Sequence, residues 1–240
     1  MFRTIISYIY FGIYIIVSLP GLLYLKILKS LGQTKKIDAF TYRIARHWAR
    51  SMVWLAGGKI KVVGAENIPE GPVLFVGNHQ GYFDIPIYLG FIDKSKGFVS
   101  KIEMLKFPIF RSWMRNLKCV FMDRNDIRQS VQVINEASEL LRVGYSITIF
   151  PEGTRSKGDN LGEFKAGSIK AAIKAGVPIV PVAIDGSYKL LEQHKHLHPA
   201  IIGLHICPPI LTTALTKEEL RALPERIHGI INEILKKSKD

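Results

Sequence analysis

The rhythm of apolar and polar positions changes twice along the chain. Between Arg3 and Lys26 lie 22 residues without a charge, TIISYIYFGIYIIVSLPGLLYL, about the length that crosses a bilayer core as a helix. The run is rich in tyrosine (Tyr8, Tyr10, Tyr14, Tyr24) and is interrupted by Pro20-Gly21. The next stretch, 37–56, sets Phe40, Ile44 and Trp48 against Arg43, Arg46 and Arg50 at helical spacing, the pattern of a basic amphipathic helix at a headgroup surface. Gly57-Gly58 ends it. Short apolar or alternating runs then take over at 59–64 (KIKVVG), 72–77 (PVLFVG), 119–122, 146–150 (SITIF), 177–184 (VPIVPVAI) and 201–206, which read as strands. The two prolines of 177–184 point to a sheet edge or a strand end.

Helical periodicity fills 126–143, opened by Asp126 and closed by Gly144, and then the shorter stretch 166–175. A last helix over 216–237 starts with a T-x-x-E capping box, Thr216 and Glu219, and is expected to break or restart at Pro224. Strands alternating with helices predict an α/β fold: a mostly parallel central sheet flanked by helices, preceded by an N-terminal membrane-associated helical segment. The expected division is 1–57 as membrane-anchoring helices and 58–240 as the α/β domain.

Composition and charge sharpen this picture. The 240 residues are 48% hydrophobic and carry 33 basic against 20 acidic residues, a net charge of +13. That excludes a disordered, collagen-like or coiled-coil chain. Two cysteines, Cys119 and Cys207, make no disulfide scaffold and fit a reducing compartment. A basic excess calls for nucleic acid or an anionic membrane. The first 60 residues hold nine basic residues and one acid, while the other 180 hold 24 basic and 19 acidic ones. The excess is therefore concentrated beside the uncharged run, which favours membrane over nucleic acid, for which no motif is present. No small-x-small cleavage site follows the run, so it is not a secretory signal. Two arrangements fit: a spanning helix flanked by Lys26 and Lys29, or a helix lying in one leaflet and bending at Pro20. The sequence favours the second, on the cytoplasmic face.

Chemistry-bearing residues collect at strand ends, where open α/β sheets bind ligands. The first group is N-H-Q-G-Y-F-D, residues 78–84, after the strand 72–77. His79 and Asp84, five apart across a strand-to-helix turn, can meet so that the carboxylate holds one imidazole nitrogen as N–H and leaves the other as a base. The second is F-P-E-G-T-R-S, residues 150–156, which gathers Glu152, Gly153, Thr154 and Arg155. Arg124, in F-M-D-R, and Lys165, in F-K-A-G-S, can place positive charge for a phosphate. Taken singly, a His–Asp pair is often a structural turn and a lone cation is usually a solvated surface charge.

Other chemistries fit less well. Gly144-Tyr145-Ser146-Ile147-Thr148 lacks the second glycine of a serine-hydrolase elbow and lies at a strand start. Gly153 and Gly158 have P-loop spacing, but Asp159 stands where lysine is required. His194, His196 and His198 lack the partners of a zinc motif. Nothing marks a base beside Cys119.

In combination, the order H-x4-D, F-x-D-R, FPEGTRS and VPVAI over 78–184 resembles the glycerolipid acyltransferase family, and within it the bacterial 1-acyl-glycerol-3-phosphate acyltransferases. Gly81 stands where that pattern usually has Ser, and Lys118 where it usually has Gly. The resemblance implies acyl transfer from a thioester, acyl-CoA or acyl carrier protein, to the 2-hydroxyl of 1-acyl-glycerol-3-phosphate, giving phosphatidic acid. It implies His79 as general base with Asp84, and Arg124, Lys165 and Arg155 on the acceptor phosphate. Glu152, Gly153 and Thr154 are expected to shape the acceptor site, Glu152 meeting a glycerol hydroxyl or an arginine. No metal and no cofactor are expected beyond the thioester co-substrate. Expected partners are the lysophosphatidic acid acceptor, the anionic bilayer surface and the acyl donor, with no nucleic acid. Competing readings are another acceptor, glycerol-3-phosphate or a different lysolipid, or a non-enzymatic basic membrane-binding protein.

Overall fold

The structure is a computed structural model that describes residues 1–123 and 126–238, with only the backbone of Ile127 and Arg128. Three helices come first: α1 (Phe2–Val17), α2 (Leu19–Ser30) and α3 (Thr34–Ala56). Strands and helices then alternate as β1 (Gly58–Val63), β2 (Leu74–Gly77), α4 (Asp84–Phe91), β3 (Lys96–Lys101), α5 (Pro108–Asn116), β4 (Val120–Met122), α6 (Ile127–Arg142) and β5 (Ser146–Ile149). The chain finishes with α7 (Lys170–Ala175), β6 (Ile179–Asp185), β7 (Ala200–Ile206) and α8 (Lys217–Lys237).

Among the described residues the strands form one sheet in the order β1-β7-β6-β2-β5-β3-β4. The five strands from β6 to β4 are parallel, and β7 with β1 runs the other way. The α/β fold with a mostly parallel sheet is thus as the alternation predicts. β3 and α5 fall in a stretch that the sequence pattern left unassigned.

Three local expectations change. The strand β6 is interior, not an edge, although it contains Pro181. The Pro181 carbonyl accepts the Cys207 N–H on the β7 side, and the β6–β7 ladder begins only at Val182. The N and O of a strand residue point the same way, so the missing N–H faces β7 at the very end of that ladder, where proline costs at most one terminal bond. Helix α8 runs unbroken through Pro224 because Leu223, Pro224, Ile227, Ile231 and Leu235 are all buried, and packing outweighs one lost backbone bond. The interruption between α1 and α2 falls at Ser18, itself helical in φ and ψ, and not at Pro20, which sits in the first turn of α2 where its fixed φ is already helical.

α1 and α2 lie antiparallel along α3: Arg3 donates to the Leu55 carbonyl, Tyr10 to Ser51 at 2.7 Å and Tyr14 to the Ile44 carbonyl at 3.2 Å, while Tyr24 packs edge-on against Phe40. The other flank of α3 is small-sided. Thr41, Ala45, Ala49, Val53 and Ala56 are buried, and Ala49, Val53 and Ala56 join the core with Phe75, Ile87 and Tyr88. Arg46 pairs with Asp93 at 2.7 Å and Arg50 donates to the Gly90 carbonyl at 2.7 Å. The helix expected at the headgroup surface is also a structural layer between α1–α2 and the sheet, and it leaves Lys35, Lys36 and Arg43 exposed. The span Phe2–Ser30 is long and apolar enough to cross a membrane, an 18-residue stretch within it having mean hydropathy 1.9.

Candidate active site

All five parallel strands deliver their carboxyl ends to one edge of the sheet, and β2, β5 and β6 are adjacent there. The loop after β2 carries His79, the loop after β5 carries 150–156, and the loop after β6 carries Ser187. Asn78 pins the first to the third: its side-chain N donates to the Ile184 carbonyl and its oxygen accepts the Ile184 N–H, both at 2.8 Å. Gln80 Oε1 accepts the Gly186 and Ser187 amides at 2.9 and 3.2 Å. The loop after β5 is tied in by the Ser156 amide donating to the His79 carbonyl at 2.8 Å and the Lys157 amide to the Gln80 carbonyl at 3.0 Å.

On this frame His79 Nδ1–H donates to Asp84 Oδ2 at 2.6 Å. The same oxygen accepts the Gln80 and Gly81 amides at 2.7 and 2.9 Å, and Ser187 Oγ donates to Oδ1. Asp84 is fully buried at the first position of α4, so the carboxylate is held by donors on both oxygens and the ring by the carboxylate. Phe150 stacks on the imidazole, with centroids 4.3 Å apart and planes 14° off parallel. In the neutral ring, an Nδ1–H directed at Asp84 makes Nε2 the nitrogen that can accept a proton.

Glu152 is a brace. Its Oε1 accepts the His79 amide at 2.6 Å and its Oε2 the Gly162 amide at 2.9 Å. Burial raises its carboxyl above the ordinary value although both amides pull the other way. Glu152 also lines the cleft that holds Thr154 and Lys165. Gly153 turns at φ +70°, and a Cβ there would stand 3.0 Å from Lys165 Nζ, so this glycine admits the lysine. Thr154 and Lys165 are exposed along a cleft of about 620 Å³ lined also by Ser156, Leu161 and Phe164. Arg155 lies flat on the Tyr82 ring, its guanidinium carbon 3.5 Å from the centroid. Arg124 lies outside the described residues.

The structure thus brings His79, Asp84, Glu152, Gly153, Arg155 and Lys165 to one edge. It adds Phe150, Ser187 and Glu192, of which only Phe150 stood in a quoted motif; Ser187 and Glu192 carry no local sequence signal. Cys119 is buried and its thiol is pushed up to about 12, and Ser146 Oγ is inside the sheet accepting the Val73 amide. His194, His196 and His198 cluster with ring centroids 4.7 to 6.3 Å apart, but among the described residues no set of three ligands is arranged to hold a metal.

The Acyltransferase family profile matches residues 59–185, more than half of the chain. The chain belongs to the acyltransferase family. The matched segment begins in β1 and ends with β6, and so contains every loop just described except the one after β6. Among acyltransferase relatives, a probable 1-acyl-sn-glycerol-3-phosphate acyltransferase of Mycoplasma pneumoniae is 37% identical over 153 residues, covering 62% of this chain and 57% of that protein. The alignment with its Mycoplasma genitalium counterpart spans 58% of that relative, so the chain matches somewhat over half the length of these two. The 1-acyl-sn-glycerol-3-phosphate acyltransferase of Pseudomonas aeruginosa is 28% identical over 80% of this chain and 76% of its own. The solved structure of the 1-acyl-sn-glycerophosphate (LPA) acyltransferase PlsC from Thermotoga maritima superposes with TM-score 0.85 at 28% identity, over 99% of this chain and 95% of that one.

Proposed function

We propose that the chain transfers an acyl group from a thioester, acyl-CoA or acyl-carrier protein, to the 2-hydroxyl of 1-acyl-sn-glycerol 3-phosphate, giving phosphatidic acid. The observation that carries the reading is the 2.6 Å hydrogen bond from His79 to a buried Asp84 at the carboxyl edge of the sheet. The names borne by the relatives support it. His79 Nε2 takes the hydroxyl proton as that oxygen attacks the thioester carbon, and Asp84 supports the imidazolium. A C–O bond forms, charge gathers on the former carbonyl oxygen, and collapse breaks the C–S bond. The imidazolium then returns its proton to the leaving sulfur. Transfer is direct, since Ser187 donates to Asp84 and Cys119 is a buried neutral thiol. The thioester is already activated, so the chemistry asks for no metal.

The amides of Gly153 and Ser156 are taken by the Phe150 and His79 carbonyls. That leaves the Glu152, Thr154 and Arg155 amides of this turn as the candidate oxyanion donors. Arg155 and Lys165 hold the acceptor phosphate, with Arg124 carried over from the family pattern. α1 and α2 lie in the cytoplasmic leaflet, where each nearby basic residue adds about 1 kcal/mol toward anionic lipid.

The test is an assay of purified protein crossing glycerol 3-phosphate, lysophosphatidic acid and lysophosphatidylcholine with both donor types. Lysophosphatidic acid is the expected acceptor with either donor. Turnover of glycerol 3-phosphate or lysophosphatidylcholine in its place overturns the acceptor assignment, and no transfer to any acceptor overturns the activity. High salt is expected to weaken vesicle binding without ending it; complete release by salt overturns the apolar anchor.

A further inference from the structure

Glu192 follows the short 3-10 turn Ser187–Leu190, and its side chain is only 6% exposed. Its Oε1 accepts the Tyr82 amide at 2.7 Å and lies 3.4 Å from the Arg155 guanidinium. Among the described residues its Oε2 is buried without a hydrogen-bond partner. A buried carboxylate with one oxygen unsatisfied is costly, and packing alone would favour an apolar side chain. The two groups it does hold, Tyr82 and Arg155, belong to the two loops that carry His79 and Glu152, and they are themselves stacked.

Space for Glu192 comes from Gly81. A Cβ at position 81 would stand 2.5 Å from Oε2 and 2.8 Å from the carboxyl carbon, closer than side chains tolerate. Gly81 also donates its amide to Asp84 at 2.9 Å. One residue therefore touches the His79–Asp84 pair through its backbone and admits Glu192 through its missing side chain. Burial raises the Glu192 carboxyl above its ordinary value, with Asp84 adding to the shift and Arg155 opposing it.

Resting on the function proposed above, we propose that Glu192 is a positioning residue of the acceptor site. Its carboxylate clamps the Tyr82 backbone to the Arg155 guanidinium, so that Arg155 meets the phosphomonoester of the acceptor from a fixed place, and Gly81 is the glycine that makes room for the clamp. Among the described residues Arg155 gives one N–H to Glu192, and a guanidinium has five. The clamp therefore orients the cation without consuming its capacity for a phosphate.

The experiment uses the full-length purified protein, with thermal unfolding recorded for every variant. Glu192→Ala is expected to raise the KM for lysophosphatidic acid about tenfold, with kcat within about threefold and the donor KM unchanged. Glu192→Gln keeps the accepting oxygen and the shape, and is expected to restore most of that KM. Gly81→Ser is expected to raise the acceptor KM as Glu192→Ala does, and the double variant to be no worse than either single one. A second readout needs no turnover: amide hydrogen exchange at Tyr82 and across 153–157 is expected to quicken in Glu192→Ala and to recover in Glu192→Gln.

An unchanged acceptor KM with active protein overturns the proposal, as does a loss confined to kcat or independent effects of Gly81→Ser and Glu192→Ala. If the wild type transfers no acyl group, the function reading has failed, and unchanged exchange in Glu192→Ala then overturns the clamp separately.

Discussion

Around the His79–Asp84 pair at the carboxyl edge of the sheet, polar groups are buried and partnered; along α1 and α2, apolar groups are exposed. Asp84 is fully buried and receives four donors. Ile5, Ile9, Ile13, Ile16 and Val17 of α1, with Leu23 and Ile27 of α2, are half exposed or more. Each arrangement is costly in isolation: the first removes a charge from water, the second leaves oil in it. The first is offset inside the protein by hydrogen bonds. The second has no partner to offset it among the described residues, and the leaflet proposed above is the solvent that would. On that proposal the molecule is finished in two ways, by its own fold at the site and by its surroundings at the N-terminal helices.

Breaking the site is expected to leave the anchor untouched. His79→Ala should lower kcat about a thousandfold, within the range assigned to a general base, while vesicle binding stays at the wild-type level. Asp84→Asn should also cost kcat, because the amide no longer enforces the ring tautomer. If steady-state kinetics place the His79→Ala loss in the acceptor KM and leave kcat intact, the base assignment is wrong.

The next contrast sets two isoleucines against each other. Ile87 on α4 is fully buried, and Ile87→Ala should destabilise the fold by about 2–5 kcal/mol. Ile13 on α1 is 54% exposed, and Ile13→Ser should change detergent-solubilised stability by no more than about 0.5 kcal/mol. Combined with Ile9→Ser and Ile16→Ser, it should weaken vesicle binding about tenfold or more, each residue losing part of the roughly 1.5–3 kcal/mol of a buried aliphatic side chain. Equal stability losses at both places would erase the distinction.

A buried cation at the amino end of β3, away from the site, gives a pH-dependent effect. Lys96 is buried, donating to the Ile92 and Lys94 carbonyls at 3.0 and 2.6 Å, and burial pushes its ammonium down to about 7. The unfolded chain holds that proton to about 10.4. Between those values the unfolded state binds more protons, so this group's contribution to stability rises with pH from about 7 to about 10 and is flat below. Chemical denaturation across that window should show the rise in the wild type and its loss in Lys96→Met.

The smallest effect is expected at Lys118, which adopts φ +62° and stands where the family pattern usually has glycine. Its Nζ lies 3.4 Å from Asp38 and 4.8 Å from the Tyr145 ring centroid, and Tyr145 OH donates to Asp38 at 3.0 Å. The left-handed backbone costs a lysine about 1–2 kcal/mol, and these contacts to α3 offset it. Lys118→Gly should therefore leave the midpoint of thermal unfolding nearly unchanged; a large shift in either direction would show the two terms are unbalanced.

The sequence by itself determined the α/β alternation, the uncharged N-terminal run and the pairing of His79 with Asp84, because each rests on neighbours within one element or one turn. The capping box of α8 is of the same kind, with Thr216 Oγ1 accepting the Glu219 amide at 3.2 Å. Tertiary structure alone decided that Ser187 and Glu192 reach residues 80–84 from more than 100 positions away, since only the adjacency of β2 and β6 brings those loops together. It also decided that Pro181 sits inside the sheet, that Glu152 braces the His79 amide, and that the small face of α3 is core while Arg46 and Arg50 serve α4 and its end. Local patterning states what a residue can do; which strand lies beside which states what it meets. The physical reason is range: backbone propensity and hydrophobic period act over a few residues, whereas burial and hydrogen bonding act between whatever the fold places in contact.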